Sequence, residues 1–320
     1  MPALLQQATY RGRFAPSPTG PLHFGSLVAA LGSYLDAMAN GGEWLVRIED
    51  LDPPREIPGA ANHILATLEG FGFEWRGPVL YQSTRHAAYE AALDQLRTRG
   101  AIFRCHCTRK AIALAARVAP SMQAGVSISS DPETRELIYP GTCRTLGRPA
   151  VGAFAERLTV ADETIDFIDA LQGPIEQSLP REVGDFVLRR ADGLFAYQLA
   201  VVVDDAEQGI TDIVRGADLL DSTPRQIFLA HQLGFAVPRY LHLPVAVNPD
   251  GEKLSKQTRA MPIDATHAPA AMLCVALRFL GHAPPDDARS WSAREVLAWG
   301  VKHWRRERLP RVRALQYPTT

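Results

Sequence analysis

Arg13-Phe14-Ala15-Pro16-Ser17-Pro18-Thr19-Gly20-Pro21-Leu22-His23-Phe24-Gly25-Ser26 decides the fold through what stands on either side of it. Before it, Tyr10–Ala15 reads as a short strand that Pro16 and Pro18 stop. After it, Leu27, Ala30, Leu31, Tyr34 and Leu35 recur at helical spacing between Leu22 and Ala39. Asn40-Gly41-Gly42 ends that helix, and Glu43–Ile48 alternates as a strand does. Strand, helix and strand within about forty residues make a βαβ unit, which predicts an α/β fold with a parallel sheet and a right-handed crossover. The loop itself suits a nucleotide. Its prolines fix an extended path, Gly20 and Gly25 let a ligand approach the main chain, and His23 stands beside a helix N-terminus, where anions are favoured.

Working outward, residues 59–70 and 84–99 read as further helices, so residues 1–100 form the first half of the nucleotide-binding domain. Between 101 and 183 the pattern loosens into short strand-like pieces and polar text, which reads as an insertion. Regular α/β text resumes at Phe186-Val187-Leu188 and gives the second half of the domain over 184–260. That half contains a helix over Pro224–Leu233, a strand region over Arg239–Val247 and a turn at Asn248-Pro249-Asp250-Gly251. Residues 261–320 read as a short helical end whose tail is basic. Lys302, Arg305, Arg306, Arg308, Arg311 and Arg313 there face a single acid, Glu307, a pattern that suits RNA phosphates or a solvated helix terminus.

The chain of 320 residues carries 34 Lys and Arg against 35 Asp and Glu, a net charge of −1. Bulk charge therefore draws no nucleic acid to it, and any RNA contact must be local. No apolar run approaches the roughly 18 residues of a membrane span, and Met1–Arg11 lacks the layout of a secretory signal. The expectation is a cytoplasmic, monomeric protein with no membrane attachment. Neither Gly-x-Gly-x-x-Gly nor Gly-Lys occurs, which excludes the dinucleotide loop and the P-loop. Of four cysteines, Cys274 lies in an apolar run and reads as core, while Cys105, Cys107 and Cys143 cluster. Such a set suits a metal better than a disulfide framework.

A second signal is Lys253-Leu254-Ser255-Lys256-Gln257. With the first segment it resembles the paired HIGH and KMSKS signatures of class I aminoacyl-tRNA synthetases, and the string PSPTGPLHFG is similar to the glutamyl and glutaminyl branch. Tyr197–Asp205, Ile210–Asp218 and Thr223–Gln226 match that branch too, so the resemblance runs in order from residue 13 to residue 257. Two positions depart from the pattern. Ser26 stands where histidine is usual, and Gln257 stands where a basic residue is common.

The resemblance implies a Rossmann-type catalytic domain, a ligase activity, and a division of roles. Arg13, Phe14, Ala15, Pro16, Ser17, Glu49, Tyr197 and Arg215 fall where the family holds L-glutamate. Arginines suit its two carboxylates and Glu49 suits its ammonium. His23, Gly25, Lys253, Ser255 and Lys256 fall where ATP sits with Mg²⁺, His23 and Lys256 being the catalytic pair. Cys105, Cys107, Tyr139 and Cys143 resemble the family's structural zinc knuckle. His106 is the rival to Tyr139, although neighbours in an extended chain face opposite ways. Only 63 residues (320 − 257) follow Gln257, too few for the family's large anticodon-binding region. The expectation is therefore a truncated paralogue whose acceptor is the queuosine base at the wobble position of tRNA(Asp). The alternative is a short conventional enzyme charging the 3′ end of tRNA(Glu).

Overall fold

The computed structural model describes residues 9–118, 138–146, 152–160, 162–254 and 261–317. β1 (Arg11–Phe14) runs through the proline-rich loop into α1 (Phe24–Ala39), and β2 (Glu43–Ile48) returns parallel to β1, with Phe14 opposite Val46. The helix starts two residues after its apolar pattern because His23 is its N-cap. The backbone of His23 is still extended, and its ring Nδ1 accepts the Ser26 N–H at 3.3 Å. α2 (Ala60–Gly70) leads to β3 (Leu80–Tyr81), which lies parallel on the far edge of β2, and α3 (His86–Thr98) follows.

The next stretch holds β4 (Ile102–Cys105), α4 (Arg109–Val118), α5 (Thr142–Leu146), β5 (Ala155–Leu158), β6 (Thr164–Asp169), β7 (Gly173–Ser178), α6 (Leu179–Glu182) and β8 (Phe186–Arg189). Beyond it come α7 (Tyr197–Glu207), β9 (Asp212–Gly216), α8 (Thr223–Leu233), β10 (Arg239–Leu243), β11 (Val245–Val247), α9 (Pro269–Phe279), α10 (Ala293–His303) and β12 (Ala314–Gln316). β9 and β10 pair in parallel, and β9 abuts β1, where the Thr211 N–H donates to Arg11 O at 3.0 Å. The chain thus moves outward from β1 to β3, then returns to the other side of β1. Between β1 and β9 the strand order reverses, the place where open α/β sheets bind ligands.

Strand partners cross the boundaries that sequence suggests. β8, which reads as the start of the second half, pairs antiparallel with β5 in the inserted sheet β4-β5-β8. The β6–β7 hairpin, which reads as insertion, adds to the edge of β10. The reason is local: Ala170 N–H donates to Tyr240 O at 2.9 Å and the Asp169 carboxylate accepts the His242 N–H at 3.2 Å, so the hairpin covers an otherwise open edge. The C-terminal part is helical as expected, with one addition: β12 pairs parallel with β11.

Alternation along the central strands separates two cores. Trp44 and Val46 of β2, Val214 of β9 and Leu241 of β10 face α1, α9 and α10, whereas Leu45, Ile213 and Tyr240 face α3, α7 and α8. Leu27, Leu31 and Leu35 of α1 are fully buried; truncating any of them to alanine costs about 2–5 kcal/mol. Gly32 sets how closely α1 approaches β10, since a Cβ there would lie 2.4 Å from Leu243 Cδ1.

One buried carboxylate fastens the C-terminal segment to this core. Asp36 of α1 accepts the Tyr10 hydroxyl at 2.5 Å, the Trp304 indole N–H at 2.9 Å, and two bonds from Arg306, Nε at 2.8 Å and Nη2 at 2.6 Å. Sequence left this basic end to RNA phosphates or to a solvated helix terminus; in the structure Arg306 is the counter-ion of Asp36, and Arg305 Nη1 donates to the backbone carbonyls of Lys302 and Trp304. Removing one partner of such a pair leaves a buried charge uncompensated. Arg306→Met should therefore cost about 3 kcal/mol in urea unfolding, and Arg306→Lys, which cannot donate in the same fork, should recover only part of it.

Candidate active site

A cleft of about 550 Å³ opens at the C-terminal ends of β1, β9 and β10. Arg13, Phe14, Ala15, Pro16, Ser17, His23, Gly25, Glu49, Tyr197, Arg215 and Lys253 all line it. Sequence separates these side chains by up to 240 positions, and the strand reversal brings them to one crevice. Ser255 and Lys256 lie outside the described residues.

The cleft's charge rests on Asp205, a residue that the sequence reading assigned no role. Its carboxylate receives Arg13 Nε at 3.0 Å and Nη2 at 3.2 Å, and Arg47 Nη1 at 2.7 Å. Arg47, fully buried, also donates Nη2 to Glu49 Oε1 at 3.2 Å and Nη1 to Gln208 Oε1 at 2.8 Å. Two guanidiniums and two carboxylates thus compensate one another out of water. The two bonds to Asp205 leave Nη1 of Arg13 for the cleft. Burial pushes the Glu49 carboxyl above its usual range, while Arg47 and Arg13 draw it back. Burial likewise raises the Tyr197 phenol, which keeps its proton and its role as a hydroxyl donor. A pair of acids inside the apolar run Leu199–Asp205 was the available signal for Asp205, because carboxylates are almost never buried without a partner.

The opposite wall is built by Arg215 and its neighbours. Arg215 Nε donates to His242 Nε2 at 3.0 Å and Nη2 donates to Thr223 Oγ1 at 2.8 Å, while Nη1 is buried with no partner among the described residues. A buried guanidinium nitrogen without an acceptor is costly and marks a place for an anion. His242 is fully buried, and its Nδ1 lies 2.6 Å from Asp169 Oδ2. Burial, with Arg215 beside it, lowers the imidazole to about 4 despite the carboxylate. At the mouth, Lys253 Nζ pairs with Asp218 at 2.6 Å, on the far side of the Asn248–Gly251 turn. His23, its Nδ1 occupied by the Ser26 N–H, carries the proton of the neutral ring on Nε2.

The cysteine cluster forms a second centre in the inserted part. Sγ atoms of Cys105, Cys107 and Cys143 lie within 4.8 Å of one another, with Cys107 and Cys143 3.5 Å apart and all three thiols unbridged. The Tyr139 hydroxyl is 3.9 Å from Cys107 Sγ and accepts the Cys143 N–H at 2.7 Å. Burial acts against the Cys143 thiolate, but donors around it, first the His106 N–H, bring its thiol down to about 7. His106 itself turns away: its Nδ1 is 3.1 Å from Ala153 O. This donor set could hold a metal, and its soft, partly ionisable thiols suit a thiophilic ion.

A family profile described as tRNA synthetases class I (E and Q), catalytic domain, matches residues 9–300. The chain belongs to that family. The synthetase is 58% identical, over 97% of its own length and 98% of the relative's, to a protein of Dechloromonas aromatica named glutamyl-Q tRNA(Asp) synthetase. Proteins of the same name from Pseudomonas aeruginosa and Chromobacterium violaceum are each 54% identical, over 96% of this chain and 98% and 97% of theirs. Among solved structures, a glutamate-tRNA synthetase from Elizabethkingia anophelis matches with a TM-score of 0.74 at 25% identity, over 97% of this chain and 68% of that one. A glutamate tRNA ligase from Elizabethkingia meningosepticum, solved with its amino acid, matches with 0.73 at 26%, over 97% and 67%. Among the described residues of the synthetase, no helix is long and apolar enough to cross a membrane.

Because His242 is neutral in the fold and takes up a proton near 6.5 when unfolded, the unfolded chain binds more protons between about pH 6.5 and 4. Stability should fall with pH in that window, this residue contributing up to about 1.4 kcal/mol per unit. His242→Gln should make the decline shallower in urea unfolding series run from pH 7 to pH 4.5.

Proposed function

We propose that the synthetase activates L-glutamate with ATP and transfers it to the queuosine base at the wobble position of tRNA(Asp). The carrying observation is the cleft between β1 and β9, whose walls hold the buried guanidiniums of Arg13 and Arg215, the latter with an orphaned nitrogen, together with the carboxylate of Glu49. Glutamate presents the complementary charges, two carboxylates and one ammonium. Arg215 Nη1 and Arg13 Nη1 meet the carboxylates, Glu49 meets the ammonium, and the Tyr197 hydroxyl donates to a remaining carboxylate oxygen. The neutralised network behind them lets this charge pattern persist out of water.

Along the other side of the cleft, the N-terminus of α1, His23 and Lys253 surround where ATP phosphates fit, and Lys256 of the same Lys-Leu-Ser-Lys-Gln signature joins them. The glutamate α-carboxylate attacks the α-phosphorus of ATP in line. The bond to the bridging oxygen breaks, pyrophosphate leaves, and glutamyl-adenylate remains. No enzyme nucleophile is needed, since positioning and charge stabilisation carry the step. Mg²⁺ accompanies ATP as its counter-ion. A hydroxyl of queuosine then attacks the mixed anhydride, its proton leaves, and AMP departs.

The test is pyrophosphate exchange with glutamate and ATP in the absence of RNA, followed by transfer of labelled glutamate to a queuosine-bearing anticodon stem-loop of tRNA(Asp). Both should proceed. His23→Ala and Lys256→Ala should slow exchange, and Glu49→Gln should raise the KM for glutamate at least ~10-fold, the loss of about 1.4 kcal/mol. Transfer to the 3′ end of tRNA(Glu), or exchange that requires tRNA, would assign the chain to the conventional reaction instead.

The thiols of Cys105, Cys107 and Cys143, with the Tyr139 hydroxyl as fourth ligand, would hold Zn²⁺, which would serve a structural role there. Metal analysis should find about one zinc per chain. Removing it with a chelator, or replacing Cys143 with Ser, should lower the melting temperature. A metal-free preparation of full thermal stability would sink the assignment.

A further inference from the structure

The orientation of Arg215 depends on residues that do not line the cleft. Asp169, at the end of β6, is fully clamped: its Oδ1 accepts the N–H groups of Leu171 at 3.0 Å, Gln172 at 2.8 Å and His242 at 3.2 Å. That leaves Oδ2 pointing at His242 Nδ1, 2.6 Å away. A carboxylate only accepts, so Nδ1 carries the ring proton and Nε2 is a bare lone pair. This is the one neutral tautomer able to receive Arg215 Nε–H at 3.0 Å. Thr223 Oγ1, 3.2 Å from the same Nε2, takes Arg215 Nη2 at 2.8 Å and Tyr240 stacks on the imidazole, so both ring and guanidinium are held in plane. With Nε and Nη2 engaged, Nη1 is the guanidinium nitrogen left without a partner among the described residues.

We propose that Asp169 and His242 are positioning residues for amino-acid binding: Asp169 fixes the imidazole tautomer, and His242 thereby fixes the guanidinium of Arg215 against the substrate carboxylate. This rests on the reading that Arg215 holds a carboxylate of glutamate. It also gives the β6–β7 hairpin a function, since that hairpin brings the only carboxylate hydrogen-bonded to His242 among the described residues. Relay of a tautomer through an oriented histidine follows the logic by which a carboxylate sets the tautomer of a catalytic imidazole.

Asp169→Asn tests it with almost no change of shape. The side-chain oxygen keeps the three backbone bonds, while the new N–H faces Nδ1 and forces the proton to Nε2, donor against donor at Arg215. In RNA-free exchange the KM for glutamate should rise by roughly 10-fold or more, with kcat and the KM for ATP nearly unchanged. His242→Gln offers a carbonyl acceptor near the former Nε2 and has no tautomer to set. Combined with Asp169→Asn it should suppress most of the effect of Asp169→Asn, a non-additive cycle. Equal impairment of the single Asp169→Asn variant and the double variant, or a KM for ATP that rises in step, would reduce the pair to ordinary packing. A long-range ¹H–¹⁵N imidazole spectrum of the unaltered protein, assigned by the signal lost in His242→Gln, needs no other variant to fold. The Nδ1–H form is expected there, and the Nε2–H form would overturn the proposal. Arg215→Ala separates the two levels: a large rise in the glutamate KM there beside none in Asp169→Asn refutes only the positioning role, whereas no rise in Arg215→Ala refutes the carboxylate contact itself.

Discussion

The carboxylate of Asp205, wedged between the guanidiniums of Arg13 and Arg47, is the interaction on which the cleft depends. It joins β1, β2 and α7 at one buried point, and it does so where the strand order reverses. Two cations on adjacent parallel strands repel each other strongly in a poorly solvated interior. Asp205 removes that repulsion, and Glu49 takes up the remaining charge of Arg47. The region behind the cleft is therefore already near neutrality, so a charged ligand would not have to reorganise the protein's own charges.

Asp204, the neighbour of Asp205, shows how the helix carrying it is held. Its buried carboxylate accepts the Tyr89 hydroxyl at 2.7 Å and the Gln82 amide at 2.8 Å, with Arg85 Nε at 3.3 Å. Successive acids therefore face opposite directions, one toward α3 and one toward the cleft. Rotation of α7 would break both sets of bonds together, so the helix that presents Tyr197 at its first turn has a single admissible setting.

Local pattern disclosed the first βαβ unit, because a period change from two to 3.6 and the punctuation of Pro16, Pro18 and Gly41 lie within one short stretch. The motif residues Arg13–Ser17, His23 and Gly25, with Glu49, Tyr197, Arg215 and Lys253, were legible from sequence and line the cleft, whereas others on its walls, such as Arg55 and Asp218, were not. Nor was pairing across distance. Nothing in Thr164–Ser178 announces that it adds to β10 rather than to the inserted sheet, since edge strands satisfy backbone groups that carry no sequence label. The same holds for Asp36 and Arg306, which stand 270 positions apart and look like a surface acid and a basic tail until packing brings them together. Asp169 and His242 were invisible for a related reason: each acts on another protein group rather than on a ligand, and no spacing rule links them.

β11 sits between two neighbours, and this gives the chain's last strand an influence beyond its size. On one side Tyr317 N–H donates to Val247 O at 2.8 Å and Val245 N–H to Arg313 O at 3.0 Å; on the other, Leu254 N–H donates to Ala246 O at 2.8 Å. The limb that carries Lys253 to the mouth of the cleft is therefore mounted on a strand which is itself mounted on residues 313–317. Fraying of that outer strand would loosen the footing of Lys253 while leaving the chemistry of its side chain unchanged. A polypeptide fused immediately after Tyr317 thus pulls on the Lys253 side of the cleft, whereas one attached before Tyr10 pulls on the Asp36 anchor on the other side of α1.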